Sequence, residues 1–127
     1  MARVTQLMIK AENKPGTLAH LCTEMAKVAV NIQAVMAAPS TEGGIRMVAV
    51  PIATAKKVLD NLKVPYREEE AVAVRLTDRP GALGKITRKL ADKGINVHYA
   101  YGSIVKGETR ALIILGVSDV DKAADVV

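Results

Sequence analysis

Two short stretches of the chain combine residue types that could bind a small charged molecule. They are residues 13–18, Asn-Lys-Pro-Gly-Thr-Leu, and residues 78–83, Asp-Arg-Pro-Gly-Ala-Leu. In each, a polar and a basic residue precede a Pro-Gly turn, and a leucine at helical spacing follows. A helix that starts at this turn offers free backbone N–H groups to a carboxylate. The glycine also leaves room for close approach of a ligand.

An asparagine follows each stretch at the same distance, in Val30-Asn31-Ile32 and in Ile95-Asn96-Val97. Its amide can accept a hydrogen bond from an ammonium or donate one to a carboxylate. Asp78 can pair with an ammonium directly. The chemistry therefore suits an α-amino acid. Structural roles stay open: Asn13 and Asp78 can cap the helices, and both asparagines can be turn residues.

These motifs recur because the chain is an internal repeat. When the sequence is shifted by 65 residues it matches itself without a gap, so that Asn13 falls on Asp78 and Asn31 on Asn96. At the end of the match, Lys57 and Asp60 fall on Lys122 and Asp125. We define residues 1–70 as the first repeat and residues 71–127 as the second repeat, and we expect each to be a small domain.

The pattern of each repeat predicts an α+β fold. Leu7 and Ile9 alternate with Met8 and Lys10, which indicates a half-buried strand. The next apolar positions have helical spacing and include Cys22, which we expect to be an ordinary buried thiol. In the second repeat, Lys93-Gly94 marks the helix end.

The remaining elements of each repeat are two strands joined by a tight turn, a short helix and, in the first repeat, a polar strand. The turns are Glu42-Gly43-Gly44 and Lys106-Gly107-Glu108. The order βαββαβ predicts tandem ferredoxin-like plaits, four-stranded antiparallel sheets with two helices on one face. Residues 68–70, Glu-Glu-Glu, read as a solvated edge strand.

The second repeat ends before its last strand could form, which would leave the strand around residues 72–76 exposed at an edge. Domains of ~60 residues are also marginal alone. We therefore expect the two repeats to pair within one chain and two chains to form a homodimer.

Composition excludes several classes of protein. The 127 residues are 50% hydrophobic with a formal net charge of +5, and no apolar run reaches the length of a transmembrane helix. One cysteine and no signal peptide favour a cytoplasmic protein. His20 and His98 lack ligand partners at metal spacing, so we expect no metal and no cofactor. Positive charge is not clustered and aromatic residues are 2%, which argues against nucleic-acid binding.

Other ferredoxin-like classes fit poorly. The central strands lack the aromatic residues of an RNA-recognition module, and the first loops lack the thiolates of a soft-metal chaperone. Arg79 and Asn96 could be assigned to an acylphosphatase-like site, but the phosphate loop is missing. Tyr99 and Tyr101 alternate on one strand, and core packing is the favoured interpretation over ligand stacking. No catalytic constellation is evident, so we expect no enzyme activity.

The combination of [Asn/Asp]-[Lys/Arg]-Pro-Gly-x-Leu with a downstream Gly-[Val/Ile]-Asn-[Ile/Val] resembles the ACT-domain family over the whole chain, twice. Ala29 replaces the usual glycine in the first repeat. The resemblance is to free-standing tandem ACT proteins and implies a regulatory protein that senses a free amino acid and modulates an enzyme of amino-acid metabolism. The alternative is an oligomerisation adaptor with a degenerate, empty pocket.

The resemblance also implies a pocket in which the Pro-Gly loop of one domain faces the second-strand start of its neighbour. The implied ligand-binding residues are Asn13, Lys14, Pro15, Gly16, Thr17, Leu18, Asn31, Ile32, Asp78, Arg79, Pro80, Gly81, Ala82, Leu83, Asn96 and Val97.

Overall fold

The computed structural model describes residues 2–38, 44–103 and 110–126. In chain order the elements are β1 (Ala2–Ile9), α1 (Thr17–Lys27), β2 (Asn31–Ala37), β3 (Ile45–Val50), α2 (Ile52–Asn61), β4 (Tyr66–Thr77), α3 (Ala82–Asp92), β5 (Val97–Ser103), β6 (Arg110–Val117) and α4 (Val120–Val126). The α+β class and the tandem βαββαβ order are confirmed. The two predicted turns lie largely outside the described residues.

The chain divides into two compact units. The first unit is Thr5–Glu69, and the second unit combines Met1–Val4 with Glu70–Val127. Strand order is β2-β3-β1-β4 in the first unit and β1-β4-β6-β5 in the second. β4 is therefore not the exposed edge that the sequence predicts, because the first residues of β1 belong to the second unit and lie beside it. Arg3 secures this strand within the second unit by ion pairs with Glu70, at 3.6 Å, and with Asp121.

Strand pairing shows that the repeats match with a gap. Val72 stands 65 positions after Leu7, but its partner Leu115 stands 68 positions after Met47, the partner of Leu7. The prediction of a gapless match is therefore wrong beyond the β2–β3 hairpin, where the second repeat has three extra residues. Hairpin loops tolerate such insertions because they carry no core contacts. Lys57 and Asp60 accordingly do not correspond to Lys122 and Asp125.

Each unit has one hydrophobic core beneath its helices. In the first unit the largest fully buried side chains of this core are Leu7, Ile9, Met25, Met47 and Leu59. The second core includes Val72, Val74, Leu90, Leu115 and Ala123. With the 68-residue offset, Ala123 is the counterpart of Ala55, and both are fully buried. The small side chain at this position allows the helix to pack closely against the sheet in both units.

The other face of the first unit's sheet is less exposed than the sequence predicts. Gln6 and Met8 are 0% and 3% exposed. Glu69, expected to be solvated, accepts hydrogen bonds from Arg46 at 3.0 Å and from Gln6 at 3.3 Å. Arg67 pairs with its second oxygen at 2.8 Å. Alternation with polar residues therefore does not make this strand one-sided.

Candidate functional site

The loops that precede α1 and α3 share one backbone conformation. Gly16 and Gly81 lie in the left-handed region, with φ of 91° and 88°. Each glycine carbonyl accepts the first helical hydrogen bond, from His20 and Lys85 respectively, at 2.9 Å. A side chain at this φ would be strained, which explains why both Pro-Gly turns need glycine. The two predicted binding loops are therefore built alike.

Asn13 and Asp78 do not cap these helices, so the capping role that the sequence left open is excluded. The N-cap position belongs to the two glycines, and neither helix has a side-chain capping hydrogen bond. The left-handed turn places the polar residue outside capping position. The N–H groups of the first turn, which lack carbonyl partners within a helix, are left without the side-chain acceptor that most helices use.

A small cavity of about 100 Å³ lies between the first loop and the β2–β3 hairpin. The helix-start residues Thr17 and Leu18 and the loop residues Asn13 and Lys14 line one side, and Ala37, Ala38, Gly44 and Ile45 line the other. A Cβ on Gly44 would stand 3.6 Å from the carbonyl oxygens of Ala11 and Ala38, which is an ordinary van der Waals contact. This volume suits one small group of a ligand.

A large cavity of about 490 Å³ lies on the other side of the same loop. We call it the large cavity throughout; its walls are formed by Lys10, Ala11, Glu12, Lys14, Pro15, Gly16, Thr17, His20, Leu21, Lys63, Val64 and Pro65. The Lys10 N–H donates to the Pro65 carbonyl at 2.8 Å, which ties the loop to the segment after α2. The volume is in the range of small-molecule pockets.

The large cavity carries an excess of positive charge. Lys10, Lys14 and Lys63 line it, together with His20, whereas Glu12 is the one carboxylate among its described lining residues. Glu12 is already paired with Lys14, Nζ to Oε2 at 3.0 Å. The arrangement favours an anionic group in the cavity.

The two strand starts share a β-bulge. The register of β2 shifts between Ile32 and Ala34, and that of β5 shifts at the corresponding place, between Val97 and Tyr99. Such bulges redirect side chains and are common beside functional sites. Ile32 and Val97 pack against the two hydrophobic cores. Asn31 and Asn96 are exposed.

Asn96 is held by its backbone. Its N–H donates to Ser118 Oγ and its carbonyl accepts from the Ser118 N–H, both at 2.9 Å. Its side-chain Nδ2 lies 3.2 Å from His98 Nδ1. Asn31 pairs with Val50 across β2 and β3 and lines neither cavity. The loop residues Asn13–Leu18 are thus brought together around two cavities, while the strand-start asparagines are not part of these walls.

In the second repeat, Asp78, Arg79, Pro80 and Gly81 are exposed. Leu83 is 43% exposed, close to the 38% of its counterpart Leu18. The first turn of both helices therefore presents an apolar side chain to solvent beside the polar loop.

Other predicted residues behave differently from expectation. Cys22 is half-buried rather than buried. Tyr99 and Tyr101 are not core residues; their rings stack on each other with centroids 6.5 Å apart. Their strand partners Gly116 and Ile114 alternate with the core residues of β6, which places the stack on the sheet face away from the helices.

Within residues 2–38, 44–103 and 110–126, no three His, Cys, Asp or Glu side chains cluster as metal ligands. No helix in these residues is long and apolar enough to cross a membrane.

The sequence did not point to Lys10, His20, Lys63 or Pro65 as site residues. Lys63 and Pro65 follow α2 in the sequence and are therefore distant from the loop along the chain, so no local sequence motif links them to it. One signal exists in the chain itself: positions 10, 14 and 20 are basic or histidine in the first repeat, and their counterparts Arg75, Arg79 and Lys85 are basic in the second.

The loops, the bulged strand starts and the duplicated fold agree with one family. The family model that describes an ACT domain pair matches residues 2–127, and the chain belongs to this family. Among curated proteins, none matches this chain in sequence.

Solved structures share the fold. Protein BT0572 from Bacteroides thetaiotaomicron is 27% identical, with a TM-score of 0.88 over 98% of this chain and 85% of that chain. The ligand-free regulatory subunit of aspartate kinase from Thermus thermophilus is 14% identical, with a TM-score of 0.68 over 99% of this chain and 91% of that one. The corresponding subunit from Thermus flavus is 14% identical, with a TM-score of 0.65 over 98% and 86%.

Proposed function

We propose that this protein is a regulator that binds a free α-amino acid at its Pro-Gly loops and modulates an enzyme of amino-acid metabolism. The observation that carries the proposal is the duplicated loop, in which a left-handed glycine leaves the start of a helix without a side-chain cap. In the first unit this uncapped turn lies beside a positively charged cavity of about 490 Å³.

The chemistry of the loop suits the α-carboxylate. Backbone N–H groups at a helix start bind anions, and the helix dipole adds to the attraction. Lys14 supplies a further positive charge at the rim of both cavities. In the proposal, the exposed amides of Asn31 and Asn96 and the carboxylate of Asp78 are the partners of the ligand's ammonium group.

Regulation in this proposal is a population shift. A ligand that binds one packing arrangement of paired domains more tightly stabilises that arrangement, and a partner enzyme reads the change. Two chains form a homodimer in the cytoplasm, and the protein itself catalyses no reaction. The fold similarity to regulatory subunits of aspartate kinase is the support for a regulatory role.

The test is calorimetry and thermal shift with each of the twenty amino acids. A regulatory ligand must respond to cellular concentrations, so we expect a Kd of about 1 μM to 1 mM, roughly −8 to −4 kcal/mol. One amino acid should bind in that range and raise the melting temperature. If no amino acid gives heat or a melting shift at millimolar concentration, the sensor function is excluded.

The adaptor function is the second candidate. It is favoured by Leu18 and Leu83, which expose an apolar side chain at the same place in both repeats. An adaptor would sediment as a stable oligomer and would bind none of the twenty amino acids. A regulator would bind one of them.

A further inference from the structure

The large cavity has more positive charge than an amino acid with a neutral side chain can balance. Three lysines and one glutamate line it, and the glutamate is neutralised by Lys14 at 3.0 Å. An amino acid with a neutral side chain carries one carboxylate and one ammonium, so it leaves the charge of the two remaining lysines, Lys10 and Lys63, unbalanced. A second acidic group on the ligand gives it a net charge of −1 and lowers the remaining excess from two positive charges to one.

Lys63 lines the large cavity from the residues that end α2. It follows α2 in the left-handed region, with φ of 58°. This position closes a helix end in which the Val64 N–H donates to the Leu59 carbonyl at 3.0 Å, and glycine is the residue that adopts it without strain. Ala29 has the same φ at the end of α1, so this conformation is a feature of how both helices end.

The floor of the cavity is apolar and held in place. Leu21 is 2% exposed, and Val64 packs against the first core. The hydrogen bond from Lys10 to Pro65 fixes the distance between the two walls. Charged side chains at the rim and an apolar floor suit a ligand with a short hydrocarbon chain between two acid groups.

We propose that the large cavity selects an amino acid with an acidic side chain, whose second carboxylate is bound by Lys10 and Lys63. The inference rests on the proposed amino-acid-binding function and narrows its ligand class. The α-carboxylate is bound at the loop beside Lys14, and the hydrocarbon chain lies over Leu21.

The experiment is calorimetric titration of the full chain with matched pairs of ligands. L-glutamate and L-aspartate are compared with L-glutamine and L-asparagine, which have nearly the same shape and no side-chain charge. We expect the acidic member to bind about 10-fold to 150-fold more tightly, since hydrogen bonds to a charged group are lost with the amide. The difference should shrink as salt is raised from 50 to 500 mM.

Lys63→Gly is the matching variant, because glycine suits the left-handed backbone and the fold should be retained. It should weaken binding of the acidic amino acid about 10-fold and leave the melting temperature of the free protein unchanged or higher. Lys57→Ala is the control: Lys57 is exposed on α2, the helix that Lys63 follows, and does not line the cavity, so its removal should leave affinity unchanged.

The outcomes separate the two proposals. Equal binding of acid and amide, or an affinity unaffected by Lys63→Gly, overturns the acidic selectivity and leaves amino-acid binding intact. Binding of glutarate or succinate but of no amino acid, weakened by Lys63→Gly, supports the charge assignment and overturns the amino-acid function. Absence of binding by every ligand overturns both.

Discussion

In each repeat, a small residue pairs with a larger one across two strands on the sheet face away from the helices. The two repeats place the small residue on different strands. In the first unit the small Ala34 pairs with Val48, whereas in the second the large Tyr99 pairs with Gly116. These pairs occupy corresponding places once the three-residue hairpin offset is included. Combined volume is what a packed face requires, so one member of a pair can grow when the other shrinks. Residue-by-residue similarity between repeats therefore understates their structural likeness.

Gly116→Val should be the most damaging single change to this pairing. A Cβ at Gly116 would lie 2.0 Å from the Tyr99 ring, so the ring must leave its place against the strand. We expect a loss of about 3 kcal/mol in the free energy of unfolding, the upper range for overpacking. Urea denaturation monitored by circular dichroism measures it.

The double variant Gly116→Val with Tyr99→Ala is the control, because it copies the Val48–Ala34 pair of the first unit. It should recover part of the lost stability. If Gly116→Val alone were as stable as the wild type, this would contradict the conclusion that the small residue at position 116 is needed to accommodate the Tyr99 ring.

Asn96→Ala and Asn31→Ala compare the two strand starts. If each amide binds the ligand's ammonium, either change should weaken binding by about 1.5–3 kcal/mol, which is roughly 10-fold to 150-fold. We expect equal effects because both strands carry the same bulge and a left-handed residue, Ala29 or Gly94, lies two positions before each asparagine. Calorimetry with the bound amino acid gives both affinities.

Stability should change little in both asparagine variants, since both side chains are exposed. An unchanged affinity in the Asn96 variant would remove the strand start from the site while leaving the loop as the binding element.

Local patterns predicted the elements well and the hairpin poorly. The helix spacing from Leu18 to Met25 gives α1, and Lys93-Gly94 marks the end of α3, because one helical face and one left-handed glycine are local properties. The three extra residues of the second hairpin were hidden because Lys57 and Lys122 happen to match at a shift of 65. Strand pairing, which decides the true register, is a long-range property.

The site was predicted in part. Residues 13–18 were identified from Pro-Gly chemistry, and the structure places them around two cavities. Lys63 comes close to these residues only through the tertiary fold, because α2 separates them along the chain. No residue near it in the sequence therefore predicts that it lines the large cavity. The sequence left a capping role open for Asn13, and the structure excludes it because the left-handed Gly16 takes the N-cap position.

The ends of α1 and α3 offer a second comparison. Both end in the same motif, but the left-handed residue is Ala29 in one, with φ of 58°, and Gly94 in the other, with φ of 72°. We expect Ala29→Gly to stabilise the protein by about 1 kcal/mol, and Gly94→Ala to destabilise it by about as much. Thermal unfolding of both variants provides the measurement.

No steric clash complicates the second change, since nothing lies within 4 Å of where a Cβ on Gly94 would stand. The double variant should resemble the wild type in stability, as expected for separate sites. If both single variants were stabilised, or both destabilised, this result would contradict the conclusion that the two helices end in the same backbone conformation.

The smallest expected effect on stability comes from a pair of charged residues near the ends of α1 and α3, in which the acidic and basic residues stand in opposite order. In α1, Glu24 precedes Lys27 and accepts its hydrogen bond at 2.9 Å, whereas the corresponding residues of α3 are Lys89 and Asp92. The hydrogen bond from Lys27 lowers the pKa of Glu24 below its ordinary value of 4.5. A lowered pKa in the folded state adds stability above pH 4.5, and this is lost as the pH falls through the folded pKa.

Glu24→Gln should therefore lower the melting temperature slightly at pH 6, and the difference from the wild type should shrink as the pH falls below 4.5 and through the lowered folded pKa. The effect is small because the pair is on the surface and salt screens it. In a Lys27→Gln background the same change should have no effect at pH 6, since the donor that lowers the pKa is gone. A difference that persists at pH 3 would show that Glu24 acts through packing, and the charge order of the two helices would then carry no stability of its own.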